Sequence, residues 1–249
     1  MKMMRRTSFI LLSAITFSFE LSAQNYFFAE KREAEISATP AGKRVIIPEK
    51  YKSVSLDVYG MQDFLKTLTS QPSLALKGNT SILELPMPEG GKAKYNIWES
   101  PVMDPVLAAK FPGIKTYAGQ GIDDPTATVK IDFTELGFHA MVLSDITGNI
   151  FIDPYRQLDL RNYIVYYKKD FRDKDPFVEY EIKGSSDVQR GGASNRPMAG
   201  PCVGTQLRSY RLAIACTGEY ARAAVGNNNP TVAQALSAIV TSINRVDGV

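Results

Sequence analysis

Two cysteines and a single histidine carry most of the chemistry this chain could perform, and their placing restricts it. Cys202 lies in Gly200-Pro201-Cys202-Val203-Gly204, Cys216 closes the run YRLAIAC (210–216), and His139 sits in the alternating run FHAMVL (138–143). In an oxidising compartment, Cys202 and Cys216 are close enough in sequence to pair. A loop of about 15 residues closed in this way contributes about 3 kcal/mol in the chain-entropy account. The alternative is two unrelated thiols, buried or free. A lone imidazole lacks the partners a metal centre needs, so His139 is expected to be a structural side chain on a sheet face. Glu219, at a strand-to-helix turn, suits solvation or capping. Asp123-Asp124 before Pro125 reads as a turn. Trp98 and the run YIVYY (163–167) suit a β core or edge better than a sugar platform.

The compartment is written at the N-terminus. Lys2, Arg5 and Arg6 precede an apolar run, Thr7 to Phe19, and Leu21-Ser22-Ala23 supplies small residues for a signal peptidase. Residues 1–23 therefore read as a signal peptide, with Ala23 the last residue removed. The apolar run is about 13 residues, against about 20 for a bilayer span. No later segment is apolar enough to span, and no cysteine follows the run to carry a lipid. The mature chain is expected outside the cytoplasm, in the medium or at the cell surface, with no transmembrane segment.

Composition excludes other classes. Hydrophobic residues make up 44%, enough for a real core. A formal net charge of +3, with basic and acidic residues interspersed, gives no nucleic-acid footprint. The cluster KKDFRDKD (168–175) is mixed in sign and reads as a solvated turn.

The elements that must position these residues fall into blocks. Residues 24–184 form a β-rich module. Tyr26–Gly42 holds a short strand followed by a loop. Arg44–Ile47 and Ser53–Val58 are β-branched runs. Met61, Phe64, Leu65 and Leu68 recur at helical spacing, predicting one amphipathic helix over 59–68. Ser81–Leu85 and Lys94–Glu99 flank a Pro/Gly-rich hairpin loop. Strands are expected at 115–121, 127–133, 138–143, 150–153, 163–168 and 178–182, a pattern of short strands and turns that predicts an antiparallel meander. Residues 185–205 are rich in Gly, Ser, Pro and Asn and read as an exposed linker. Arg190, followed by glycines, is the candidate processing site there, whereas Arg196 precedes a proline that blocks tryptic cleavage. From 206 to 249 the pattern changes: a strand at 210–216, a helical turn at 218–225, and an amphipathic helix opened by Pro230 after an Asn cap. In that helix Val232, Ala235, Leu236, Ile239, Val240, Ile243 and Val246 repeat at three and four. The fold class is α+β: a β-rich antiparallel module followed by the first β–α unit of an α/β domain, which ends at Val249 as though cut short.

The block LRSYRLAIACTGEY (207–220) with AIVTSINRVDGV (238–249) closely resembles the start of the catalytic domain in secreted bacterial reprolysin-like zinc metalloproteases, which are metzincins. GFHAMVLSDITGNIFIDPY (137–155) is similar to their propeptides. The resemblance implies a zymogen: signal peptide, β-rich propeptide, linker, and a zinc endopeptidase domain acting on protein or peptide substrates after cleavage by an activating protease. The three histidines and the glutamate of the family's zinc motif have no counterparts here, so no catalytic residue is assigned and the chain alone is expected to be inactive, without zinc. The resemblance adds a third reading of Cys202, as a propeptide thiolate occupying the fourth zinc position until the propeptide is removed. A class apart from these is a non-enzymatic secreted β-rich binding or surface protein.

Overall fold

The computed structural model describes residues 27–36, 42–70, 81–172 and 212–249. The expected signal peptide, the strand at 178–182, and the linker with Arg190, Arg196 and Cys202 lie outside the described residues.

The strands are β1 (Phe28–Glu30), β2 (Lys52–Leu56), β3 (Ile82–Pro86), β4 (Lys92–Glu99), β5 (Lys115–Gly121), β6 (Thr128–Thr134), β7 (Gly137–Leu143), β8 (Ile150–Pro154) and β9 (Asn162–Tyr167). The helices are α1 (Val58–Lys66), α2 (Pro105–Lys110), α3 (Gly218–Val225) and α4 (Val232–Val246). All nine strands form one antiparallel sheet in the order β1-β2-β9-β8-β7-β6-β5-β4-β3. The expected meander runs unbroken from β3 to β9. β2 then pairs with β9, Val54 opposite Tyr163, and β1 pairs with β2.

Alternation along each strand sends one set of side chains inward. Val54, Leu85, Ile97, Val129, Ile131, Val142, Ile152 and Val165 belong to one buried cluster. Phe28 of β1 and Leu83 of β3, from opposite ends of the strand order, belong to it too. The sheet must therefore curl, and it is nearly barrel-shaped. The rim agrees: the Gly90 backbone in the β3–β4 turn comes against the Lys52 ammonium of β2. Helix α1 plugs the interior with Met61 and Leu65, and its N-terminus is capped by Asp57, which accepts from the Gly60 amide at 3.1 Å.

The sheet's outer face is covered as well, which departs from a simple in–out pattern. Six of the seven residues of β7 are buried; outside the sheet α4 packs over β6 with α3 beside it, and the 42–51 segment packs over β8 and β9. Residues 42–48, where a strand was expected at 44–47, have no regular structure. They lie against the loop after β8 through two backbone bonds, Gly42 N–H to Gln157 O at 2.9 Å and Gln157 N–H to Lys43 O at 3.0 Å. Arg44 fixes this segment. Its guanidinium lies between the rings of Tyr51 (4.7 Å) and Tyr155 (4.4 Å) and donates to Glu33 at 2.7 Å.

The C-terminal block differs more from expectation. Leu212–Cys216 is not a strand: it is exposed, and its backbone pairs with no other backbone among the described residues. Apolar alternation identified a segment fit for a sheet, but among the described residues no strand pairs with it. Helix α4 forms as expected, though its cap is Thr231 in a reciprocal box with Gln234, not an asparagine, and Pro230 stands outside.

Candidate functional site at the seam between sheet and helix

Helix α4 buries only part of the apolar stripe that its sequence advertises: Val240 is buried, and Ala235, Leu236, Ile239 and Ile243 are half-buried. Its most buried side chains include Ser237 (0% exposed) and Asn244 (1%), whereas Val232 (73%) and Val246 (70%) face solvent. The face against the sheet carries Ser237, Val240, Thr241, Asn244 and Arg245. The reason lies on the outer side of β6–β8, where Asp132, His139 and Asp153 stand at outward positions and offer a polar partner rather than an apolar one.

Asp132 and Asp153 are each 1% exposed. Asp132 Oδ2 accepts from Thr241 Oγ1 at 2.7 Å and meets His139 Nδ1 at 2.9 Å. Asp153 Oδ1 pairs with Arg245, and Oδ2 accepts from the Tyr166 hydroxyl at 2.8 Å. The guanidinium also lies 5.2 Å from the centre of the Phe151 ring. Asn244 Nδ2 donates to the Ile131 carbonyl at 3.0 Å, and Lys130 Nζ pairs with Asp247 at 2.6 Å at the rim. Every turn of the second half of α4 is thus tied to the sheet by a directional bond. Two atoms in the seam, Asn244 Oδ1 and Arg245 Nε, are buried without a partner among the described residues.

The charges balance locally. Burial alone would raise the Asp153 carboxyl, but Arg245 beside it, aided by His139 and by hydrogen bonds from Arg245 and Tyr166, holds it below the usual carboxylate range. Burial opposes the Arg245 charge, yet Asp153 and Asp132 more than restore it. The Tyr166 hydroxyl is pushed well up, first by burial and then by Asp153, so it remains a donor.

The residues singled out from sequence are mostly apart from this seam. His139 is in it, buried on the sheet's outer face and held by Asp132. Asp123 and Asp124 form a turn: Asp124 accepts from Thr126 N–H (2.9 Å) and Ser144 Oγ (2.6 Å), and Asp123 from Lys94 N–H (3.0 Å). Glu219 is exposed in the first turn of α3, paired with Arg222 at 3.3 Å, while Thr217 supplies the cap. Trp98 is half-buried on β4; Tyr163 and Tyr166 are buried on the sheet's two faces. Cys216 is exposed and has no disulfide partner among the described residues, and it lines an apolar groove of about 430 Å³ with Ile214, Tyr220, Ile239 and Ile243. The pairing with Cys202 involves a residue outside the described set.

Among the described residues no three or more His, Cys, Asp or Glu side chains come together to hold a metal, and the Nδ1 atom of His139 is already taken. The described residues alone thus assemble no zinc ligand set, and no catalytic step is assigned to one. Among the described residues no helix is long and apolar enough to cross a membrane. Sequence reasoning missed Asp132, Asp153, Thr241, Asn244 and Arg245. The available signal was weak: two aspartates at outward positions inside hydrophobic strands, and an Asn-Arg pair in a helix read for its apolar stripe. No protein-family model, no curated protein and no solved structure matches this chain.

Proposed function

We propose that this chain is the front part of a secreted zinc metalloendopeptidase precursor, in which the curled sheet is a prosegment that holds the opening helices of the protease domain. The observation that carries the reading is the way α4 is held. Its polar face is bonded to the sheet through Asp132, Asp153 and the Ile131 carbonyl, while Ile239, Ile243, Val232 and Val246 are left exposed or half-buried. A prosegment must grip its domain without using up the apolar surface that the domain needs for its own core. A polar seam does this, because separating it exposes groups that water can satisfy. The run Leu212–Cys216, unpaired among the described residues and beside the same stripe, supports the reading, since an unpaired strand-like segment is a template for further strands. The resemblance of 207–220, 238–249 and 137–155 to reprolysin-like precursors supplies the protease, its zinc and its protein or peptide substrates.

In this reading the chain itself cleaves nothing. The test is a protein-substrate digestion with and without a zinc chelator. It compares the chain ending at Val249 with a version carrying whatever residues its gene encodes beyond that point. Chelator-sensitive cleavage is expected only from the longer version. Cleavage by the shorter chain, or a stop codon directly after Val249, overturns the proposal. A secreted non-enzymatic binding module is the second reading; the packing of α3 and α4 onto the sheet favours it, because a self-contained module would be joined in the same way. The same experiment separates the two.

A further inference from the structure

A cavity of about 300 Å³ lies at one end of the curled sheet, between the C-terminal end of α1, the neighbouring ends of β4, β5 and β6, and the turn at 112–113. The mouth of a curled sheet is a common place for a small-molecule site. Leu65 and Leu68 form its apolar wall on the helix side, and Tyr117 and Phe133 form it on the sheet side. The chain that follows α1 is fastened to the rim, where the Glu99 N–H donates to the Thr69 carbonyl at 3.0 Å.

The polar groups of this cavity supply more donors than acceptors. Glu99 is the one carboxylate among its described lining residues, and both its oxygens are engaged. Oε1 accepts from Lys115 Nζ at 2.7 Å and Oε2 from Ser70 Oγ at 3.2 Å. Lys66 and Lys115 both line the cavity, so its walls carry two ammonium groups against one carboxylate. Lys66 does meet Asp63 at 2.9 Å, but Asp63 is not on the wall, and the two side chains are 72% and 77% exposed, so the pair offsets little. Tyr117 stands two residues along β5 from Lys115, on the same face. It is 4% exposed, and its hydroxyl makes no hydrogen bond with any described residue. Burial first, and the Glu99 carboxylate second, push that hydroxyl well above the usual phenol range, so it keeps its proton and serves as a donor. A buried donor without a partner is costly, and an acceptor placed in the cavity removes that cost.

Size, apolar walls and surplus donors together define a ligand. An apolar cavity of about 150 Å³ holds one benzene ring, so this one has room for about two fused rings. With Glu99 neutralised by Lys115, the unbalanced charge on the wall is the Lys66 ammonium, which favours an anion and repels a cation. We propose that this cavity binds a small monocarboxylate with an apolar body, which packs that body against Leu65, Leu68 and Phe133 and accepts a hydrogen bond from the Tyr117 hydroxyl.

The experiment titrates the full chain by calorimetry with three probes of one shape and different charge: 2-naphthoate, naphthalene-2-methanol and 2-naphthylmethylammonium. It repeats the 2-naphthoate titration on two variants. Gly113→Phe fills the cavity from an exposed turn on its wall, where an added Cβ meets no atom within 4 Å. Tyr117→Phe removes the hydroxyl and keeps the ring. The 2-naphthoate titration is expected to saturate at one site per chain, with the alcohol at least about fivefold weaker and the ammonium compound not binding. Gly113→Phe should lose 2-naphthoate binding while melting as the parent does, and Tyr117→Phe should weaken it at least about tenfold, since the bond removed is one to a charged group. Absence of saturable 2-naphthoate binding, equal or tighter binding of the alcohol or the ammonium compound, or unchanged affinity in Gly113→Phe overturns the site. Unchanged affinity in Tyr117→Phe overturns the role of the hydroxyl.

Discussion

At the residue scale the molecule turns on two buried carboxylates and the groups that answer them. Asp153 and Arg245 form a pair in which the acid is almost fully buried and the base partly so. Removing one member of such a pair leaves a desolvated charge, which costs about 3–5 kcal/mol, whereas replacing both by apolar residues of similar size can be nearly neutral. Arg245→Ala should therefore loosen α4 far more than the double change Asp153→Leu with Arg245→Met, as read by amide exchange along α4. The pH response follows from the depressed Asp153 carboxyl. A lowered folded-state pKa means that the stabilisation is complete above the ordinary carboxylate range, near pH 4, and is lost as pH falls through the folded value. The seam should hold through neutral and mildly acidic solution and open only in stronger acid, and Asp153→Asn should abolish that acid step. Gly137 tests the β6–β7 turn. With φ at +107° and the Tyr163 hydroxyl 2.9 Å from where a Cβ would stand, Gly137→Ala should cost about 1–3 kcal/mol by urea unfolding.

At the element scale, the strands with clean alternation were legible almost to the residue. FHAMVL and IFID, with Gly137 and the DITGN turn between and before them, could hardly have folded otherwise. Helix α2 was also legible, though not read: Asp104 caps it through the Val106 amide at 2.9 Å and Pro105 opens it. Two segments misled for one physical reason. The run 44–47 is β-branched and 212–216 alternates, but a strand needs a neighbouring edge, and among the described residues neither segment has one. Helix α4 misled differently. Its period was right and Val240 is buried as expected, but the face against the sheet is turned toward Ser237, Thr241, Asn244 and Arg245, because Asp132 and Asp153 stand across the seam. The inner elements behave as ordinary core. Leu65→Ala in α1 removes a side chain wedged inside the curled sheet and should cost about 2–5 kcal/mol by urea unfolding.

At the scale of the whole molecule, the sequence shows a meander but not its closure. The β2–β9 pairing joins residues more than a hundred positions apart, and no local pattern announces it. The consequence is a sheet with two working surfaces. The inner one makes a dry core around α1. The outer one is divided between an aromatic patch under the 42–51 segment and the polar seam under α4. In the proposed prosegment, that division would let the sheet keep its own core while it grips α4 by bonds that water can replace. The account depends on the grip being specific and local to the seam. The most direct test is a double-mutant cycle on Asp153 and Arg245, with amide exchange followed both in α4 and in the β3–β4 hairpin. A coupling of at least about 1 kcal/mol in α4 and no change in the hairpin are expected. Additive single effects, or equal loss of protection in both elements, would contradict it.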